Sequence, residues 1–208
     1  MNKLDYSQEK VFIGVRDVFR PFLDDLIRVH HLERTFDLGT RCLLMIVEIA
    51  PEMIKNVKED VFSSMPKGFY SASLTEKDAE VMNSVWAQRH IGSVEFLKTA
   101  IRMNPSTGIY KDDGELIAWS IFLETGAMGN LQVKQEYQRK EFASFVSQLQ
   151  YLKVIKMGRV PFGHIVHQND ASFNFSTKKH NGKWIGNNSW IGVKKKPKSE
   201  LLPLWGHL

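Results

Sequence analysis

Two histidine pairs, a lone thiol and a basic strand-to-helix junction are where this 208-residue chain carries residue types that could do chemistry. His164-Ile165-Val166-His167 has the spacing of a metal-binding pair. On a strand, residues three apart face opposite sides, so these two cannot share one ion, and no metal site is expected. They read as ordinary strand histidines, either of which could still face a substrate. His30 and His31 are adjacent on a helical segment and diverge, which makes them surface residues. Cys42, the single cysteine, lies in the apolar run Cys42-Leu43-Leu44-Met45-Ile46-Val47 and reads as a buried structural thiol. One cysteine excludes an internal disulfide and a Cys-rich zinc site, and it suggests a reducing compartment. Trp184 and Trp190 alternate with glycine and polar residues as closing-strand core aromatics do, with the lining of a substrate cleft as the alternative. No P-loop, dinucleotide fingerprint, nucleophile elbow or HExxH pattern is present.

Charge is divided unevenly. Residues 1–133 carry 15 basic and 19 acidic side chains, whereas residues 134–208 carry 13 basic and 4 acidic ones. The basic last third suggests an anionic partner, either nucleic acid or a phosphorylated cofactor. Nucleic acid is disfavoured because the segment is not read as interleaving exposed aromatics with its basic residues and carries no recognisable binding motif. The run Lys194-Lys195-Lys196-Pro197-Lys198 reads as a solvated basic tail. With 43% hydrophobic and 25% charged residues, the composition argues against disorder and coiled coil. The apolar runs stop well short of the ~18 residues of a membrane span. Met1-Asn2-Lys3-Leu4-Asp5 lacks the apolar core of a signal peptide and the bias of a transit peptide. A soluble cytoplasmic protein with no membrane partner is the expectation.

The elements that must position these residues follow from periodicity. A strand is expected over Val11–Val15, a helical stretch over Val18–His31, a strand near Leu43–Ile49 and a helix opened by Pro51. Ser63-Ser64-Met65-Pro66-Lys67-Gly68 is the best boundary, giving an N-terminal α/β region over 1–68 and a main domain over 69–208. Phe69–Leu74 alternates like a strand. Thr75-Glu76-Lys77-Asp78 then fits a capping box, opening a helix through Trp86, and another starts at Ser93. Asp112-Asp113-Gly114 between apolar runs signals a hairpin of Gly108–Lys111 with Glu115–Glu124. A strand over Met128–Val133 leads into a long helix over Tyr137–Met157. A strand over Val160–His167, a helix over Asn169–Lys179 and one or two strands over Trp184–Val193 complete the order. That is an α+β fold with a mixed sheet.

This order, together with Leu131-Gln132-Val133-Lys134-Gln135-Glu136-Tyr137-Gln138-Arg139-Lys140-Glu141-Phe142-Ala143, resembles the GNAT superfamily of acyl-CoA-dependent N-acyltransferases. Gly114-Glu115-Leu116-Ile117-Ala118-Trp119, Thr125-Gly126-Ala127-Met128-Gly129, and Asn169 with Ser172 resemble its glycine N-acyltransferase-like branch. The resemblance covers residues 69–193 and implies a mixed, mostly antiparallel sheet flanked by helices. It implies acetyl-CoA or a longer acyl-CoA as cosubstrate, no metal, and a small amine such as glycine or another amino acid as acceptor. Family analogy adds a mitochondrial location as the alternative to the cytoplasm. Carried over by position, the cofactor would lie on Leu131, Gln132, Val133, Gln138, Arg139, Lys140, Glu141, Phe142, Ala143, Ser144 and Asn169. The physical basis is general: a helix start offers free N–H groups and a positive dipole end to a pyrophosphate. A strand edge can pair with the amide-rich pantetheine arm.

The chain departs from that pattern at three places. Glu141 stands where the family has a glycine, Ala127 where the branch has its glutamate base, and Ser172-Phe173-Asn174-Phe175-Ser176 lacks the tyrosine that protonates a leaving thiolate. Glu124 is the nearest substitute base, and Asn169 and Ser172 are expected at the pantetheine or its sulfur. The second function implied is a catalytically impaired acyl-CoA-binding or interaction protein that keeps the fold.

Overall fold

The computed structural model of the protein describes residues 9–44 and 63–197. The helix expected after Pro51 and the strand beyond Leu44 lie outside the described residues. Contacts group the chain into two compact units. One comprises Met1–Leu43, His164–Lys179 and Trp184–Leu208; the other comprises Leu44–Gly163 and His180–Lys183.

The second unit is an antiparallel meander with helices on both faces. Strands β3 (Phe69–Ala72), β4 (Ser106–Lys111), β5 (Leu116–Phe122) and β6 (Met128–Val133) are hydrogen-bonded in that order. Every residue of β5 is buried, which explains why Leu116–Phe122 reads as an apolar run rather than as an alternating strand. One face packs Trp119 and Ile121 against Met82 and Leu97, from helices α2 (Ala79–Val85) and α3 (Ser93–Met103). The other face packs Ile109 and Ile117 against Phe142, Val146 and Leu149 of helix α4 (Phe142–Lys156). The hairpin between β4 and β5 closes as its sequence requires: Gly114 has φ +88° and its N–H donates to Lys111 O at 2.8 Å.

The first unit contains β1 (Lys10–Arg16), α1 (Arg20–Val29), β2 (Leu32–Leu44), most of β7 (Phe162–Val166), α5 (Asp170–Asn174) and most of β8 (Lys183–Lys195). A π-type turn, Phe175–Lys179, extends α5. Strand β1 runs antiparallel to β8, from Lys10 opposite Val193 to Arg16 opposite Asn188. Leu23 of α1, Leu32, Ile191 and Val193 form the core of this unit.

Two elements differ from the sequence expectation. Strand β2 begins at Leu32, earlier than the apolar run suggested, because its polar positions are held by charge pairs: Arg20 with Asp37, and Arg34 with Asp24. Helix α4 begins at Phe142 rather than Tyr137. A short 3-10 turn, Gln135–Tyr137, comes first, and Arg139 and Glu141 then take left-handed backbone angles that no α-helix accommodates. The described architecture is mixed α+β with mostly antiparallel pairing, as expected. Among the described residues, no helix is long and apolar enough to cross a membrane.

Candidate functional site

The residues expected to hold a cofactor converge where β6 leaves the sheet and α4 begins. Pairing with β5 occupies one edge of β6, from Phe122 opposite Met128 to Ala118 opposite Val133. The other edge meets β7 in parallel at one position, Met128 with Gly163. From Gly129 to Val133 that edge forms no ladder among the described residues. The backbone groups that the segment Leu131–Val133 turns to that edge suit a ligand that can pair like a strand. The pairing slips by one residue between Trp119 and Ile121, making a bulge in β6 around Asn130, whose φ is +51°. Trp119 Nε1 donates to Asn130 Oδ1 at 2.8 Å and Ser120 Oγ to Gly129 O at 3.3 Å, so side chains of β5 fix the bulge.

Beyond Val133 the chain is pinned on both sides. Lys134 N–H donates to Ile117 O at 2.9 Å, and its ammonium meets Glu115 Oε1 at 2.7 Å. Lys134 and then Lys111 hold the Glu115 carboxyl below the usual carboxylate range. Gln138 Nε2 folds back onto Val133 O at 3.2 Å. The Tyr137 ring packs edge-on against Phe69 and Phe142, with the Lys140 ammonium 5.5 Å from its centroid.

Arg139 and Glu141 then have φ of +60° and +66°. These angles turn the chain sharply into α4. Glu141 O accepts from Ser144 N–H at 2.8 Å and Phe145 N–H at 3.1 Å. No side chain caps this helix start, and the N–H groups of Phe142 and Ala143 have no partner among the described residues. Two uncapped amides, the positive end of a 15-residue helix and the exposed Arg139 and Lys140 suit a pyrophosphate. The residues present thus fit an acyl-CoA. The exposed Glu141 carboxylate, which accepts from Ser144 Oγ at 3.3 Å, is an unfavourable charge there.

Glu124 belongs to the same unit but lies in the turn before β6, at the opposite end of that strand. It is exposed and makes no ion pair or hydrogen bond among the described residues. Its turn is closed by Leu123 N–H to Ala127 O at 2.8 Å, and Ala127 is 1% exposed. Asn169 and Ser172 belong to the other unit. There Asn169 Oδ1 accepts from Ser172 N–H at 3.0 Å, a helix cap at the start of α5.

The two histidines of His164-x-x-His167 have different neighbours. His164 packs edge-on against Trp190, and burial pushes its imidazole below the ordinary 6.5. His167 lies against Gly39. Among the described residues, no three His, Cys, Asp or Glu side chains are grouped to hold a metal ion. Sequence reasoning missed the bulge at Asn130. Its only trace is the Gly129-Asn130 pair inside a strand, two residue types that tolerate positive φ.

Residues 106–191 match the family described as FR47-like protein. No curated protein sequence matches the chain. Among solved structures, a Drosophila protein is similar with a TM-score of 0.71 at 22% identity, over 91% of this chain and 62% of that one. A GCN5-related N-acetyltransferase-like protein from Streptococcus suis gives 0.53 at 9% identity, over 83% of this chain and 68% of that one. A GNAT-family acetyltransferase from Colwellia psychrerythraea gives 0.52 at 11% identity, over 90% and 64%. The chain thus spans under two thirds of the Drosophila and Colwellia chains. At these identities the likeness is one of fold, and the fold is that of the GNAT acetyltransferases.

Proposed function

We propose that the protein transfers an acyl group from acetyl-CoA or a longer acyl-CoA to the amine of a small acceptor, such as glycine or another amino acid. The observation that carries this is the junction of β6 and α4. It keeps an uncapped helix start and a left-handed loop although neither left-handed residue is glycine. The amides of Phe142 and Ala143, with Arg139 and Lys140, would hold the pyrophosphate. Gln138 and Ser144 would shape the loop, and Leu131, Gln132 and Val133 would pair with the pantetheine arm. Strand β6 is ~16 Å long from Met128 to Val133. A phosphate end at the junction therefore directs an extended arm towards the turn that carries Glu124.

The reaction is direct attack within a ternary complex. The neutral amine nitrogen bonds to the acyl carbon, the carbonyl pair moves to oxygen and returns, and the carbon–sulfur bond breaks. Glu124 would take the amine proton as general base. The released thiolate takes a proton from solvent.

A second reading, an acyl-CoA-binding protein without turnover, is favoured by the buried Ala127 and by the Glu141 carboxylate at the cradle. Calorimetric titration with acetyl-CoA and a longer acyl-CoA, followed by an acceptor screen monitored by thiol release, separates the two. Acyl-CoA binding with acceptor-dependent thiol release supports the transferase. Binding without release supports the second reading. No binding by the natural protein or by Glu141→Gly overturns both.

A further inference from the structure

The bulge in β6 holds a donor that the fold leaves unused. Asn130 Nδ2 is buried and has no hydrogen-bond partner among the described residues. Its identity as nitrogen follows from chemistry. Trp119 Nε1–H can only donate, so the amide atom it meets at 2.8 Å is the oxygen, and the NH2 group must point away from the indole. Trp119 is fully buried, so water is in no position to replace this bond and let the amide rotate. The backbone is fixed as well, by φ +51° and by the register slip opposite Ser120. A buried amide donor without an acceptor is destabilising by itself. Held this rigidly, it is preorganised for an oxygen that arrives with a ligand.

We propose that Asn130 Nδ2 donates to the carbonyl oxygen of the acyl thioester, positioning it and stabilising the negative charge that develops there during attack. This rests on the acyl-CoA reading given above. With the phosphates at the junction, the arm occupies Val133 to Leu131 first, and Asn130 is the next residue along the strand. Glu124, further on, is a carboxylate and offers no donor to an oxyanion. Asn130 is thus a side-chain donor of β6 on the path of the acyl end, and one for which the described residues supply no acceptor.

Asn130→Asp tests this, because it keeps an oxygen for Trp119 and loses the donor. Calorimetric titration of the full chain with acetyl-CoA and with free CoA should show a selective loss. Acetyl-CoA weakens about tenfold, while CoA, which has no acyl carbonyl, stays within about twofold. Asn130→Gly accepts the positive φ and should show the same selectivity, which keeps the test decisive if the Asp variant folds poorly. The carbonyl stretch of isotope-labelled acetyl-CoA should be shifted to lower frequency by the natural protein and not by either variant. Equal weakening of both ligands, or no weakening of either, overturns the proposal while the acyl-CoA reading stands. Failure of the natural protein to bind either ligand overturns both.

Discussion

Glu141 combines a favourable charge for a helix start with a backbone angle that disfavours any side chain. At φ +66° its Cβ crowds the following carbonyl, a strain of about 1 kcal/mol. Glu141→Gln, which keeps the Cβ but removes the favourable charge, should lower unfolding free energy by about 0.5 kcal/mol in urea titrations. Glu141→Gly, which also relieves the strain, should lie about 1 kcal/mol above the Gln variant. Both variants should bind acyl-CoA more tightly than the natural protein, because both remove the negative charge from the phosphate cradle. A Gln variant that binds no better would show that Glu141 turns away from the ligand. His164 gives a pH dependence of defined sign. Burial lowers its pKa in the folded protein, so below the ordinary 6.5 the unfolded chain holds more protons than the native one. Stability should fall as pH drops through about 6.5 and level off below the folded pKa. Urea midpoints between about pH 5 and pH 8 should show this slope, and His164→Gln should flatten it. At this scale the cap formed by Asn169 was open to inspection, since asparagine three residues before serine at a helix start is a local pattern. Asn130 was not, because its role depends on an indole eleven residues away in sequence and on a slipped register.

Among the elements, those closed by local chemistry were the easiest to place. Thr75-x-x-Asp78 opens the α2 segment as its sequence indicates: Thr75 N–H donates to Asp78 Oδ2 at 2.7 Å. The same carboxylate oxygen accepts from Tyr110 O–H at 2.9 Å, which ties the helix start to β4. Burial and then Asp78 push the Tyr110 hydroxyl well above its ordinary pKa, so it stays a donor. Asp78→Ala removes these two bonds and a third, from Thr75 Oγ1 at 2.9 Å, and should cost about 2 kcal/mol, with Asp78→Asn costing about half because an oxygen remains. Thermal unfolding of the two variants checks the order, and equal losses would mean that charge rather than hydrogen bonding matters. Strand β6 was placed to the residue, whereas the start of α4 was placed five residues early. Helical periodicity continues through the junction, and the sequence of Arg139 and Glu141 gives no sign of their positive φ. The polar strand β2 escaped notice for a related reason. Its charges find partners that become apparent only when the chain is folded.

For the whole molecule, the basic last third of the sequence does not correspond to one body. Residues 134–163 group with the meander, while most residues after 163 group with the N-terminal strands. Arg139 and Lys140 lie in the loop itself, whereas Lys178 and Lys179 belong to the other unit. Exposed charges act over about 10 Å at ~0.1 M salt, so position matters more than the net count. Neutralising Arg139 and Lys140 together by glutamine should weaken acetyl-CoA by about tenfold at ~50 mM salt and by much less at ~500 mM, where the natural protein's advantage is screened. The matched pair Lys178→Gln and Lys179→Gln makes the same change in net charge and serves as the reference for an effect of overall charge alone. Equal losses from the two pairs would mean that the protein attracts the anion through its overall field rather than at the helix start. Steep salt dependence towards duplex DNA, stronger than that towards acetyl-CoA, would instead reassign the basic charge to nucleic acid.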